Sequence, residues 1–559
     1  MPTGSGKSIC YQLPAILMEG ITLVVSPLIS LMKDQVTALI AAGIPAAFLN
    51  SSLTPAQLRT AYRRLHGGMY KIIYVAPERL LTWEFLETLR GLKVAMVAVD
   101  EAHCISQWGQ DFRPSYLKIR DFLRELPERP VLTAFTATAT QTVAEDIVKA
   151  LALQNPVRVV TGYDRPNLHF SVLKPKNKQE ALLTLLEREK GKSGIVYCST
   201  RKDTEAVCQL LCSRGYSATR YHAGLSEEER RQNQEDFLYD RRPIMAATNA
   251  FGMGIDKSNV GFVIHYNMPK CIEAYYQEAG RAGRDGTAAD CILLYSGRDV
   301  STARFLIQTP AEKSELTPEQ QEQIRQQDYL RLDQMIGYCA TTHCLRGYIL
   351  RYFGQEHPET CHNCGNCQGS FTERNVTEEA RVILEGVEEI ERYLGYYLGE
   401  SLVIKQLRGS KIKRLQQLEG LSCRGRLRSL SEETVSGIIS ELKERKLLWT
   451  NHEYETLERT ENLLSEDDPV LLRQRGREEP EKPVRQTADS SRMEQLKALR
   501  MKLAQAERVP AYIVFSNATL EDMARREPRT MEEFLEVSGV GARKAEKYGQ
   551  AFLELFRGE

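Results

Sequence analysis

The sequence predicts an α/β protein. Two successive lobes each hold a parallel sheet covered by helices, and a cysteine-bearing helical subdomain, a helix-and-hairpin unit and a small all-α bundle follow. Three observations predict this. Near-continuous apolar, β-branched runs alternate with helical stretches twice over, in residues 1–168 and again in 169–308. Strands buried on both faces read as such runs. Four cysteines then cluster within 309–372, and a basic, helix-rich stretch occupies 373–464. A Glu/Asp/Arg/Pro-rich segment over 465–492 reads as a flexible tether, and the helical pattern resumes over 493–559.

At 559 residues the chain has room for roughly three to five domains. An apolar content of 42% supports real cores. No apolar run approaches the ~20 residues of a membrane span. Met1 leads straight into a glycine-rich turn, so no signal peptide is expected. Of the 13 cysteines, four cluster and the rest scatter, which fits a reducing, cytoplasmic interior with one metal site. The net charge is zero, so any case for nucleic acid must rest on local patches.

In the first lobe, Met1-Pro2-Thr3-Gly4-Ser5-Gly6-Lys7-Ser8 reads as a phosphate-binding loop at a helix start. Glycines let the backbone approach a ligand, and successive amides with the helix N-terminus cradle phosphate. Lys7 would reach the β- and γ-phosphates and Ser8 would hold Mg²⁺. Met1 stands where the full pattern has its first glycine, and a chance glycine turn is the alternative. The strands expected are Ile21–Ser26, Lys71–Ala76, Val94–Asp100 and Val131–Thr136. Ligands bind at the carboxyl ends of such strands. Asp100-Glu101-Ala102-His103 falls at one of them, with Asp100 placed to hold Mg²⁺ and Glu101 to polarise an attacking water. Trp108 and Phe112, four apart in the stretch Cys104–Tyr116, suit either base stacking or plain core packing, and spacing alone favours the core.

The second lobe repeats the pattern with strands at Gly194–Tyr197, Thr219–Tyr221, Ile244–Thr248, Val260–Tyr266 and Cys291–Tyr295. Thr248–Lys257 is a glycine-rich segment after a strand. Gln277–Gly286 carries Arg281 and Arg284, three apart and expected on one helix face. Arginines aimed at a γ-phosphate from an opposite lobe would make hydrolysis report closure of the cleft.

Cys344, Cys361, Cys364 and Cys367 are spaced C-x16-C-x2-C-x2-C. Four thiolates favour a closed, structural Zn²⁺ site, and the ligand set alone also admits an iron–sulfur cluster. A helix is expected between Cys344 and Gly354. In Ile404–Leu430, Lys405, Arg408, Lys411, Lys413, Arg414, Arg424, Arg426 and Arg428 face one acid, Glu419. That is a local basic patch suited to phosphates, or else a solvated face. A helix over Glu432–Glu444 and a hairpin over Leu447–Thr456 follow. In the last unit, Gly539 and Gly541 suit either amides turned towards a phosphate or a tight interhelical turn.

These motifs carry a resemblance. The loop at residues 1–8, Ser26-Pro27-Leu28, Ala76-Pro77-Glu78-Arg79, the Asp100–His103 box and Thr136-Ala137-Thr138 stand in the order seen in superfamily 2 helicases. Trp108–Tyr116 resembles the aromatic-rich loop of RecQ-family DNA helicases, which couples DNA binding to ATP hydrolysis. Residues 248–257 and 277–286 resemble helicase motifs V and VI, and Ser199-Thr200-Arg201 and His222-Ala223-Gly224 fit backbone-contact positions. The cysteine spacing resembles the RecQ zinc-binding subdomain, 373–464 the winged-helix RQC domain, and Val509–Ser516 with Val537–Lys544 the HRDC domain.

The resemblance implies two RecA-like lobes, a zinc-binding subdomain, a winged helix and an HRDC bundle. It implies a 3′-to-5′ ATP-dependent DNA helicase of recombination and repair, using ATP, Mg²⁺ and Zn²⁺. Lys7, Asp100, Glu101, Arg281 and Arg284 would be catalytic, with Arg284 as the finger. Gly4, Ser5, Gly6, Lys7, Ser8, Asp100 and Gln277 would contact the nucleotide. Trp108, Phe112, Arg113, Lys411 and Arg414 would contact DNA, and Cys344, Cys361, Cys364 and Cys367 would bind the metal. Partners would be single-stranded and forked or tailed duplex DNA and a single-stranded-DNA-binding protein, with no membrane. Gln110 stands where the family usually has His, and its amide can bond but not titrate. The family's adenine-recognising segment precedes the phosphate loop and is not found before Met1, so a catalytically impaired DNA-binding remnant is the alternative expectation. The zinc spacing and the two tail modules argue against a superfamily 2 RNA helicase.

Overall fold

The computed structural model describes residues 1–2, 6–107, 109, 111–251, 257–309, 317–451, 454–465, 469–475, 490–507 and 509–557. The first lobe is a parallel sheet of β1 (Ile21–Val25), β2 (Ala46–Leu49), β3 (Ile72–Val75), β4 (Val94–Val99) and β5 (Val131–Ala134), in the order β2-β3-β1-β4-β5. The second holds β6 (Leu168–Leu173), β7 (Ser193–Tyr197), β8 (Ala218–Tyr221), β9 (Ile244–Ala247), β10 (Val260–His265) and β11 (Ala289–Leu294), in the order β6-β11-β10-β7-β9-β8, also parallel.

Alternate side chains of each strand feed two different cores, which is why the strands read as unbroken apolar runs. In the first lobe Leu23, Ile73 and Val97 enter one core, and Val24, Ile72, Tyr74 and Met96 the other. In the second, Ile195, Met245 and Val263 face one way, and Val196, Ala246, Phe262 and Ile264 the other.

Two edge elements lie beyond the expected set. β2 is only four residues long and half alanine, and β6 alternates His169 and Ser171 with Leu168, Phe170 and Val172. β6 starts at Leu168, and Tyr163 already packs into the second lobe's core, so this lobe begins ahead of the expected boundary at residue 169.

The cysteine-bearing subdomain shares a core with the second lobe. Its helices Pro318–Ala340 and Leu345–Tyr352 contribute Leu332, Met335, Tyr338, Leu345, Ile349 and Leu350 to the cluster that holds Phe170, Tyr275 and Tyr276. The Tyr338 hydroxyl donates to that of Tyr275 at 3.2 Å.

The winged-helix unit packs helices Thr377–Leu394, Glu400–Leu407 and Glu432–Glu444 against the hairpin β13 (Leu448–Asn451) and β14 (Thr456–Arg459). It also contains a ribbon foreseen by no spacing rule. β12 (Phe371–Asn375) pairs antiparallel with β15 (Leu471–Arg475). The tether expected over 465–492 is therefore corrected over 469–475: the paired backbone and the buried Val470 and Leu472 anchor that stretch to the winged-helix core.

The last bundle comprises helices Ser490–Glu507, Ala511–Val514, Asn517–Arg526, Met531–Leu535 and Ala542–Arg557 around Phe515, Phe534 and Phe552. Gly539 is the tight-turn case: its φ is +85°, and an added Cβ would lie 2.4 Å from Thr519 Oγ1. Gly541 faces open space. Among the described residues no helix is long and apolar enough to cross a membrane.

Candidate active site between the two lobes

Of the phosphate-loop residues, Thr3, Gly4 and Ser5 lie outside the described residues. Gly6 caps the helix Lys7–Leu17 at φ +83°, a left-handed conformation open to glycine with nothing crowding its Cβ position. Lys7 and Ser8 open that helix, and Ser8 bonds the buried Tyr11. Burial pulls the Lys7 pKa down, Glu101 and Asp100 pull it up, and the Arg284 guanidinium of the second lobe pushes it down again. The cation expected on the phosphates and the expected finger thus share one electrostatic neighbourhood across the cleft.

Asp100 follows the end of β4, where its amide bonds the Val25 carbonyl at 2.8 Å. Burial first, then the Glu101 charge, pushes the Asp100 carboxyl up to about 7 against the pull of Lys7. Two adjacent carboxylates in a buried site carry more negative charge than Lys7 offsets, and a divalent cation fits that excess. Glu101 sits at φ +45°, rare for a residue with a side chain and common where backbone strain serves a site. Its Oε2 is buried, accepts no hydrogen bond among the described residues, and lies 3.3 Å from His103 Nδ1. That nitrogen bonds Thr136 Oγ1 at 3.0 Å instead. Burial lowers the His103 pKa, and the bond to Thr136 ties the box to the 136–138 segment.

Arg281 and Arg284 do not share a helix face. The helix Ile272–Ala279 ends first, at Gly280, and both arginines lie in the turn beyond it. Arg281 is 5% exposed and bonds the Tyr197 hydroxyl, while its Nε has no acceptor among the described residues. Tyr197 ends β7, and burial, opposed by Arg281, holds its pKa up at about 12. Sequence reasoning missed this residue, although its place at a strand's carboxyl end was the available signal. Gln277 sits half-buried on the helix Ile272–Ala279.

Around the aromatic-rich stretch, Trp108 and Gln110 lie outside the described residues, as do Gly252–Asp256 and His452. Phe112 is half-buried. Arg113 Nε and Nη2 donate to Asp111 Oδ2 at 3.1 and 2.9 Å, and its Nη1 donates to the Pro27 carbonyl at 3.3 Å. The basic stretch divides. Arg408, Arg424 and Arg426 pair with Glu432, Glu419 and Glu385. Lys411, Lys413, Arg414 and Arg428 stay exposed with no ion-pair partner among the described residues.

The Sγ atoms of Cys344, Cys361, Cys364 and Cys367 converge within 4.8 Å of one another. Cys361 and Cys367 Sγ are 3.9 Å apart, near the ~3.8 Å expected of thiolates around tetrahedral zinc. Amides of Gly347, Asn363 and Cys367 donate to Cys344, Cys361 and Cys364 sulfurs, which suits thiolates. The donor set fits Zn²⁺. Cys339 is a buried core residue of the helix Pro318–Ala340.

Family descriptions match along the chain: DEAD/DEAH box helicase over 1–147, helicase conserved C-terminal domain over 177–286, RecQ zinc-binding over 297–368, RQC domain over 370–481 and HRDC domain over 489–556. The chain is 43% identical to the ATP-dependent DNA helicase RecQ of Bacillus subtilis, across 99% of this chain and 92% of that one. It is 38% identical to the RecQ of Pasteurella multocida, across 100% and 88%. Against that of Haemophilus influenzae it is 36% identical, across 100% and 90%.

Proposed function

The chain belongs to the RecQ family of ATP-dependent DNA helicases, and on that premise we propose how its own residues divide the work. It uses ATP with Mg²⁺ and holds Zn²⁺ in the four-cysteine site. The alternative of an impaired remnant is not favoured by relatives that match 99% of the chain.

Lys7 and the amides of the 4–8 loop bind the β- and γ-phosphates, and Gln277 contacts the nucleotide from the second lobe. Ser8 and Asp100 would hold Mg²⁺, which neutralises phosphate charge. Glu101 orients and polarises the attacking water. Arg284 as the finger, with Arg281 as a second phosphate contact, supplies positive charge at the γ-phosphoryl group when the cleft closes. Trp108, Phe112, Arg113, Lys411 and Arg414 carry DNA contacts. Each cycle of closing and reopening advances the chain 3′ to 5′ on single-stranded DNA. A single-stranded-DNA-binding protein, which coats the unwound product, is part of the proposal, as is residence at the nucleoid.

The observation that carries this reading is the box at the end of β4, where Asp100 is buried and the neighbouring Glu101 Oε2 is buried and accepts no hydrogen bond among the described residues. Arg284→Ala should lower DNA-stimulated ATP turnover at least about 10³-fold, as Lys7→Ala should, and leave single-stranded DNA binding intact. Unchanged turnover overturns the assignment.

A further inference from the structure

The turn that bears Arg281 and Arg284 lies beyond a helix end, where carbonyls lack intrahelical partners. Its carbonyls are taken up by a segment the motifs leave out, Asp164-Arg165-Pro166-Asn167-Leu168. Arg165 donates from Nη1 to the Gly280 carbonyl at 3.3 Å, and from Nη2 to those of Ala282 at 3.0 Å and Gly283 at 2.8 Å. Asn167 Nδ2 donates to Gly283 at 2.8 Å and Thr287 at 2.9 Å. The approach is close enough to require glycine: Gly283 has φ +56°, and a Cβ there would lie 2.4 Å from Asn167 Nδ2.

The same segment is gripped from the other side by the cysteine site. Arg346, two residues past Cys344, donates to Asp164 Oδ1 at 2.8 Å and to the carbonyls of Arg165, Pro166 and Leu168. Asn363, between Cys361 and Cys364, donates to the Pro166 carbonyl at 3.0 Å. Arg346 is 4% exposed, and a planar guanidinium is suited to several acceptors at once.

We propose that Arg165 and Asn167 are positioning residues for ATP hydrolysis, fixing the turn that presents Arg281 and Arg284, and that Arg346 and Asn363 tie that turn to the folded zinc site. A finger acts only where its charge meets the developing charge, and a displacement of about 1 Å can cost about 100-fold. The inference rests on the arginine roles above.

The test uses the full chain. Asn167→Asp keeps the shape and turns carbonyl-facing donors into acceptors. It should lower DNA-stimulated kcat about 100-fold while KM for ATP changes little. Affinity for a single-stranded oligonucleotide and zinc per chain should hold, and the preference for ADP with aluminium fluoride over ADP should be lost. Arg165→Lys supplies the same readout where Asn167→Asp does not fold, and Arg346→Lys should act in the same direction with zinc retained. Unchanged kcat overturns the proposal, as does a kcat loss that brings zinc or DNA binding down with it. Arg284→Ala runs alongside. If it leaves turnover intact, the arginine reading fails. If it abolishes turnover and Asn167→Asp does not, this inference alone fails.

Discussion

The Tyr116 hydroxyl donates to the main-chain carbonyl of Asp100 at 3.0 Å, inside the first lobe. The last residue of the aromatic-rich stretch is thereby bonded to the residue assigned to Mg²⁺. Tyr116→Phe keeps the buried ring and removes the bond. It should cost about 1 kcal/mol of stability by denaturant titration. It should also reduce the stimulation of ATP turnover by single-stranded DNA several-fold, with a smaller change in DNA-free turnover. Equal stimulation in both proteins would speak against coupling through this bond.

Lys411 and Arg414 stay exposed in the basic stretch, whereas Arg426 is paired with Glu385 at 2.7 Å. Neutralising a phosphate contact removes roughly 0.7 from the salt slope of single-strand binding. The double substitution Lys411→Ala/Arg414→Ala should therefore flatten the slope by about 1.4, measured by anisotropy from low to high salt. Arg426→Ala should change it much less.

The four-cysteine subdomain and the second lobe share one hydrophobic core, with Tyr338 and Leu345 packed beside Tyr275 and Phe170. Removing zinc with a chelator should thus lower the melting temperature of the second lobe together with the subdomain, in one calorimetric transition. A separate low-temperature transition that leaves the lobe's transition in place would show that the shared core does not transmit the metal's stabilisation.

Asp522 in the last bundle accepts from the Ser538 amide at 2.9 Å and from Arg526 Nε at 2.9 Å, and it also pairs with Arg525. The amide first, then the two arginines, hold its carboxyl down at about 2. Its folded pKa lies below the ordinary value of about 3.9, so its contribution is full above pH ~4 and is lost as the pH falls towards 2. Asp522→Asn should cost about 1–3 kcal/mol at neutral pH and flatten that acid dependence. Hydrogen-exchange protection of the bundle in the full chain, followed against pH, measures both.

Short-range patterns carry a large part of this protein. β1, β3, β4 and β5 lie inside runs that are legible because strands buried on both faces are continuously apolar. The cysteine ligands are legible because two-residue gaps let thiolates converge. The edge strands β2 and β6 are not legible on the same terms, since β2 is four residues long and half alanine and β6 interleaves His169 and Ser171 with its apolar side chains. β15 is hidden in a polar stretch, because its pairing with β12 is made by backbone groups that leave no trace in side-chain composition.

Legible from residue types and spacing are the two sheets, the order of the phosphate loop, the Asp100–His103 box and the arginine pair, and the metal's ligand set. Each is local: a few residues whose types suffice for the chemistry. Only the fold places the arginines past a helix end, with Arg281 on Tyr197, and only the fold has Arg165 and Asn167 hold their turn. Those relationships join distant segments, largely through main-chain carbonyls. Every residue has such a carbonyl, so only the fold selects which ones are used.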